Sequence, residues 1–258
     1  FFVFFEVVLL PMYFMIGVWG GEQRKYASLK FFLYTMFGSA FMLVAFLALF
    51  FQTDAVSFGF AHLVEAGAGI DKNVQIWIFA GMFLGFAVKV PMFPFHTWLP
   101  DAHTQAPTAG SVILAGVLLK LGGYGLIRMN LPLFPDATVD LAPFIIALSI
   151  IGMIYGAIVA IRQPDLKRLI AYSSVSHMGF VTLGIFVFQQ QAMDGAILQM
   201  VNHGLITGAL FLCVGVIYER THDRTIAKMT GLAAKMPVYV AVFGFFVFAS
   251  GGLPGLSG

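Results

Sequence analysis

Eight stretches of about 20 mostly apolar residues follow one another along the chain: 1–19, 29–51, 74–95, 108–129, 141–161, 168–188, 195–218 and 236–250. A helix needs about that many residues to cross a hydrocarbon layer about 30 Å thick. In lipid every backbone amide must find its partner internally, so such a chain is predicted to fold as a bundle of helices. The rest of the composition agrees: 60% of the residues are hydrophobic and 10% charged, where a soluble domain carries about 25% charged residues. The fold class expected is an all-α polytopic membrane protein, and residues 1–258 are expected to form one helical domain.

Several function classes fall away at once. The net charge is +2, and no run of Lys or Arg exists that would follow a nucleic-acid backbone, so no nucleic-acid partner is expected. A single cysteine, Cys213, excludes a disulfide framework, an iron–sulfur cluster and a CxxC zinc site on this chain. The 28 glycines and 29 phenylalanines suit closely packed helices in contact with membrane lipid. Gly81–Gly85, Gly152–Gly156 and Gly204–Gly208 have the small-residue spacing of helix contacts. Phe1 lies within an apolar run and GGLPGLSG closes the sequence, so an internal stretch of a longer chain is expected.

Basic residues are distributed unevenly between the connections. The first, third, fifth and seventh (20–28, 96–107, 162–167 and 219–235, with the helix-end residues Lys30 and Arg168) hold ten; the second, fourth and sixth hold only Lys72 and Arg128. The cytoplasmic side attracts the excess, so residues 20–28 and 219–235 are expected to face the cytoplasm. The membrane would be the bacterial inner membrane, or its mitochondrial counterpart for an organellar protein.

That count leaves Lys89 and Lys120 inside spans, together with Glu6, His177 and His203. A lysine at mid-membrane costs roughly 2.5–3.5 kcal/mol on insertion scales. At about 1.5 Å per residue, Lys120 lies about 18 Å into its span, and His177 and His203 about 14 and 12 Å into theirs. Three spans thus place titratable groups at one level, as lateral proton transfer requires. Structural readings compete: Lys89 can snorkel to the interface, the histidines can serve only as hydrogen-bond partners between helices, and Glu6 can simply neutralise a lysine.

Around Lys89, the run VKVPMFPFHTWLPDAHTQAPTAG carries Pro91, Pro94, Pro100 and Pro107. Proline removes a backbone donor and clashes with the preceding turn, so this span is predicted to be broken. Broken helices at membrane depth survive where protein or a water-filled cavity satisfies the freed groups, and they mark ion sites in transporters. GGLPGLSG, after the last span, has the same chemistry, and the two breaks suggest two halves of a repeated design.

FEVVLLPMYFMIGVWGG (5–21), KFFLYTMFGS (30–39), VKVPMFPFHTWLPDAHTQAPTAGSVILAGVLLKLGGYGLIR (88–128) and PDLKRLIAYSSVSHMGF (164–180) resemble the antiporter-like proton-pumping subunits of respiratory complex I, the NADH–quinone oxidoreductase. The PMYFMIGVWGG wording is nearest to the subunit M (chain 4) branch. The resemblance implies a fourteen-helix fold of two inverted repeats, each with a discontinuous helix, of which this chain would carry the fifth helix to the start of the twelfth. It also implies that Glu6 and Lys89 form a modulating pair, that Lys120 is the central connecting lysine, and that His177 and His203 relay protons onward. A further glutamate would follow beyond Gly258. The partners implied are the other membrane subunits of the complex. NADH, FMN, iron–sulfur clusters and quinone would belong to them, with no redox centre here. A subunit of a cation/proton antiporter or membrane-bound hydrogenase is the alternative within transport, and a passive scaffold locked by buried charges is the alternative outside it.

Overall fold

The computed structural model describes residues 1–53, 57–67 and 69–256. Ten helices carry the architecture: α1 Phe2–Trp19 (hitched at Val8), α2 Arg24–Gln52, α3 Phe60–Gly67, α4 Lys72–Lys89, α5 Trp98–Gln105, α6 Thr108–Leu133, α7 Pro135–Ile161, α8 Leu166–Phe186, α9 Gln190–Thr221 and α10 Pro237–Ser250. Each expected span is present as a helix. Six (α1, α2, α6, α7, α8 and α9) are long and apolar enough to cross a membrane; α4 stops at its break and α10 has 14 residues. Polar and basic residues extend several helices past their apolar stretches, so that α2 begins at Arg24 and α9 at Gln190. Of the closing GGLPGLSG, residues 257–258 lie outside the described residues; the remainder leaves the helix at Gly251.

The break after α4 follows from its prolines. Pro91 has no N–H to give to the Ala87 carbonyl, so Met92 N donates there instead, at 2.9 Å. The Val88 carbonyl is thereby freed, and the Trp98 indole takes it at 2.9 Å from a fully buried position. A helix broken inside a membrane bundle needs this kind of replacement. Beyond the break, α5 runs back among the other helices instead of lying in an exposed connection, and Trp98, Leu99, Ala102 and His103 are all buried.

Small residues set the helix spacing. A Cβ added at Gly156 of α7 would lie 2.7 Å from the Ser176 nitrogen of α8, and one added at Gly204 of α9 would lie 2.9 Å from the Gly116 carbonyl oxygen of α6. Polar bonds also join α7 to α8: Ser149 donates to the Thr182 hydroxyl at 2.8 Å, and Ser176 to the Met153 carbonyl at 2.9 Å. Outside, Phe4, Trp77, Ile161 and Val238 stand more than three-quarters exposed, as side chains facing hydrocarbon do.

The basic connections gather at one end of the bundle. Lys30 pairs with Asp101 at 2.7 Å, Arg168 approaches the same carboxylate at 3.7 Å, and Arg224 pairs with Asp165 at 3.3 Å. Arg224 also donates to the Thr104 carbonyl at 2.6 Å, and Gly21 N to the Gln105 carbonyl at 2.9 Å. At the other end Lys72 pairs with Asp140 at 2.7 Å, and Arg128 lies over Phe60. The alternation of charge along the sequence is therefore an alternation in space.

Candidate functional site

Lys120 sits in the one stretch of α6 with ordinary pitch between two wider turns. Residues Leu114–Leu118 and Leu126–Asn130 are π-helical, a local unwinding often found at functional sites. The ammonium curls back onto the Ala115 carbonyl of the first wide turn. It also lies 2.6 Å from His203 Nδ1 on α9. Gly116 and Gly204 make that contact possible, because bare backbone at both positions lets α6 and α9 approach. An ammonium has no lone pair, so against a charged Lys120 the Nδ1 of His203 must accept, leaving its proton on Nε2. His203 Nε2 is buried and has no hydrogen-bond partner.

The next group in line is His177 of α8, whose ring centroid is 5.7 Å from that of His203. Its Nδ1 lies 3.2 Å from the Gln199 amide of α9 and its Nε2 3.3 Å from the Ser250 hydroxyl at the end of α10. A cavity of about 450 Å³ borders His177, Gln199, Ser250 and Gly251. Lys120, His203 and His177 are thus brought together from three helices.

Lys89 and Glu6 are placed differently. Lys89 is 1% exposed at the last turn of α4, and its Nζ has no hydrogen-bond partner. It therefore does not snorkel. The ammonium stands 4.6 Å over the Phe5 ring, an attraction between cation and aromatic face. Glu6 Oε1 is buried without a partner too, and no ion pair joins the carboxylate to Lys89 among the described residues. Each group thus holds a buried polar atom without a hydrogen-bond partner. Among the described residues no side chain is hydrogen-bonded to both Lys89 and Lys120; α6 closes on the end of α4 at Gly122, where an added Cβ would lie 2.8 Å from the Phe86 carbonyl oxygen.

Three further buried groups lie among residues that sequence reasoning assigns to connections. His96 is 2% exposed, with both ring nitrogens unpartnered, between Phe93 and Tyr155. His103 of α5 is fully buried, stacks on Phe211 at 4.6 Å and likewise has neither nitrogen bonded. Lys167, in the first turn of α8, is 5% exposed and donates to the Ala106 carbonyl at the end of α5. The four prolines announce that residues 90–107 are irregular; that α5 then returns to the interior is a matter of tertiary packing. Among the described residues, no group of three His, Cys, Asp or Glu side chains is placed to hold a metal ion.

Six helices long and apolar enough to cross a membrane, enclosing buried lysines and histidines beside a broken helix, define the class of a multi-pass membrane protein. The chain matches, over residues 1–258, the family described as NADH:quinone oxidoreductase/Mrp antiporter, transmembrane, and belongs to it. It is 54% identical, along its whole length, to the NADH-quinone oxidoreductase subunit M of Rhodobacter capsulatus. It is 50% identical to the NADH-ubiquinone oxidoreductase chain 4 of Chondrus crispus. The chain spans about half the length of these relatives, 52% of each. Among solved structures it superposes on a chain of respiratory complex I from Thermus thermophilus with TM-score 0.95 and 36% identity, covering all of this chain and 55% of that one. The Mrp complex from Dietzia shares the fold, with TM-score 0.88 at 23% identity.

Proposed function

We propose that this chain supplies a proton-translocating membrane segment of an NADH–quinone oxidoreductase, in which Lys120, His203 and His177 pass protons laterally. The observation that carries the reading is the 2.6 Å contact between Lys120 Nζ and His203 Nδ1 with His177 next in line. In the transfer, one N–H bond of the ammonium breaks and one forms at Nδ1. The lysine becomes a neutral amine and the imidazole a cation, which then releases the proton on Nε2 toward His177. An imidazole can take a proton on one face and release it from the other, which suits it to relay.

Lys89 and Glu6 are assigned the switch. Bringing the carboxylate onto the ammonium would favour charged lysine, and separating them would favour proton release. The level of the row, the break after Lys89 and the identity to subunit M all support this. NADH oxidation, the flavin, the iron–sulfur clusters and quinone reduction are assigned to partner subunits. Identity above 50% to a complex I subunit, against 23% to an Mrp chain, favours this assembly over a cation/proton antiporter. The test is Lys120→Ala in the assembled enzyme, with NADH-driven acidification measured in inverted vesicles. Pumping is expected to be lost with assembly intact; wild-type pumping would remove the relay.

A further inference from the structure

We propose that Lys167 is the proton-loading residue at the basic end of the bundle, taking protons from a surface cavity and handing them to His103. This rests on the relay reading and adds the step that feeds it.

The cavity, of about 400 Å³, lies between the ends of α1, α5, α8 and α9 and is lined by Gly21, Gln105, Lys167, Glu219 and Arg224. Polar and charged side chains border it, and it is large enough to hold several waters. Glu219, an exposed carboxylate, borders the same space and attracts protons there. Lys167 lines the cavity yet is 5% exposed, so its ammonium sits where the aqueous space gives way to packed protein.

Helix formation alone does not call for a lysine there. It occupies the first turn of α8, where the helix dipole disfavours a cation. Asp165 caps that turn, accepting from Lys167 N at 2.8 Å and Arg168 N at 3.1 Å, and would do so whatever side chain stood at 167. The ammonium instead reaches across to the Ala106 carbonyl that ends α5. One turn earlier on α5 stands His103, buried and with two unbonded ring nitrogens. Its stacking partner Phe211 is two turns from His203 on α9. The cavity, Lys167, His103 and the Lys120–His203 pair thus form a descending series.

The step balances as a simple proton transfer. A neutral Lys167 amine takes a proton from hydronium in the cavity, leaving water; the ammonium then breaks one N–H bond, and a ring nitrogen of His103 gains the proton through intervening water. The alternative is that Lys167 merely ties α5 to α8.

Arginine separates the two. Lys167→Arg keeps the cation and a donor for Ala106 but does not release its proton in proteins. In inverted vesicles holding the whole complex, Lys167→Arg is expected to cut proton pumping per NADH oxidised by about a hundredfold, the lower end of what a positioned proton donor contributes. Ethylamine, small enough for the cavity, is expected to restore pumping to Lys167→Ala, and guanidinium is not. Wild-type pumping by Lys167→Arg overturns the proposal, as does failure of ethylamine to rescue Lys167→Ala in assembled complex. If Lys120→Ala pumps normally, the relay reading itself falls; if only the Lys167 variants pump normally, the relay stands and this step alone is wrong.

Discussion

Replacing Lys120 with methionine should make the bundle more stable while abolishing its transport. The ammonium's protein partners are the Ala115 carbonyl and His203 Nδ1. Hydrogen bonds between helices in a membrane average about 0.6 kcal/mol, with a maximum near 1.7. Losing both contacts, and leaving His203 Nδ1 bare, therefore costs about 2 kcal/mol. Against this, the variant no longer holds a lysine at mid-membrane, worth roughly 2.5–3.5 kcal/mol. Methionine, unbranched and of similar length, fills the same space. The balance is a stabilisation of about 1 kcal/mol. Denaturation of the purified chain in mixed micelles measures the first effect, and NADH-driven proton uptake into vesicles of the assembled complex measures the second. A variant that unfolds more readily than wild type, while its assembled complex pumps normally, would show the lysine to be a structural clasp.

Other expectations follow from the same packing. Trp98→Phe keeps the ring but leaves the Val88 carbonyl without its donor, and should lower the denaturation midpoint by an amount equivalent to about 1–3 kcal/mol. Gly156→Leu forces a side chain into the Ser176 backbone and should separate α7 from α8, which loss of chain from purified complex would reveal; Gly195→Leu, whose added Cβ meets nothing within 4 Å, is the control. In the connection after α9, hydrogen bonds from Lys228 and then Thr225 hold the Asp223 carboxyl well below its usual range. A depressed carboxylate stabilises above its unfolded value and loses that contribution as pH falls through the folded one, so this connection should loosen only in acid, below about pH 4. A spin label at exposed position 227 would report the loosening, and Asp223→Asn should show the mobile spectrum at neutral pH.

Most of the architecture was legible because the membrane imposes its own ruler. Apolar length gives the helices, the uneven placing of Lys and Arg gives the two ends of the bundle, and the rise per residue puts Lys120, His177 and His203 at one height. What the ruler does not supply is direction around a helix axis. Helical wheels drawn with ordinary pitch cannot foresee the wide turns on either side of Lys120, nor that bare backbone at Gly116 and Gly204 brings lysine and histidine into contact. His103 and Lys167 escaped for a different reason: they belong by sequence to polar connections, and only the return of α5 to the interior buries them. Glu6 and Lys89 were expected as a pair; that Glu6 Oε1 and Lys89 Nζ lack partners, with Phe5 under the ammonium, depends on rotamers that no sequence pattern encodes.

The two π turns of α6 carry one more consequence. Each absorbs a single additional residue without rotating the flanking segments against one another. Were the turn at Leu114–Leu118 to tighten to ordinary pitch with the sequence unchanged, everything after it would swivel by about 100°, the angle per residue of an α-helix. Leu119 or Leu121 would then look toward His203 in place of the lysine, and the wire would be cut by insulating hydrocarbon. A twist of one residue in a single helix would thus act as a circuit breaker for the proposed relay.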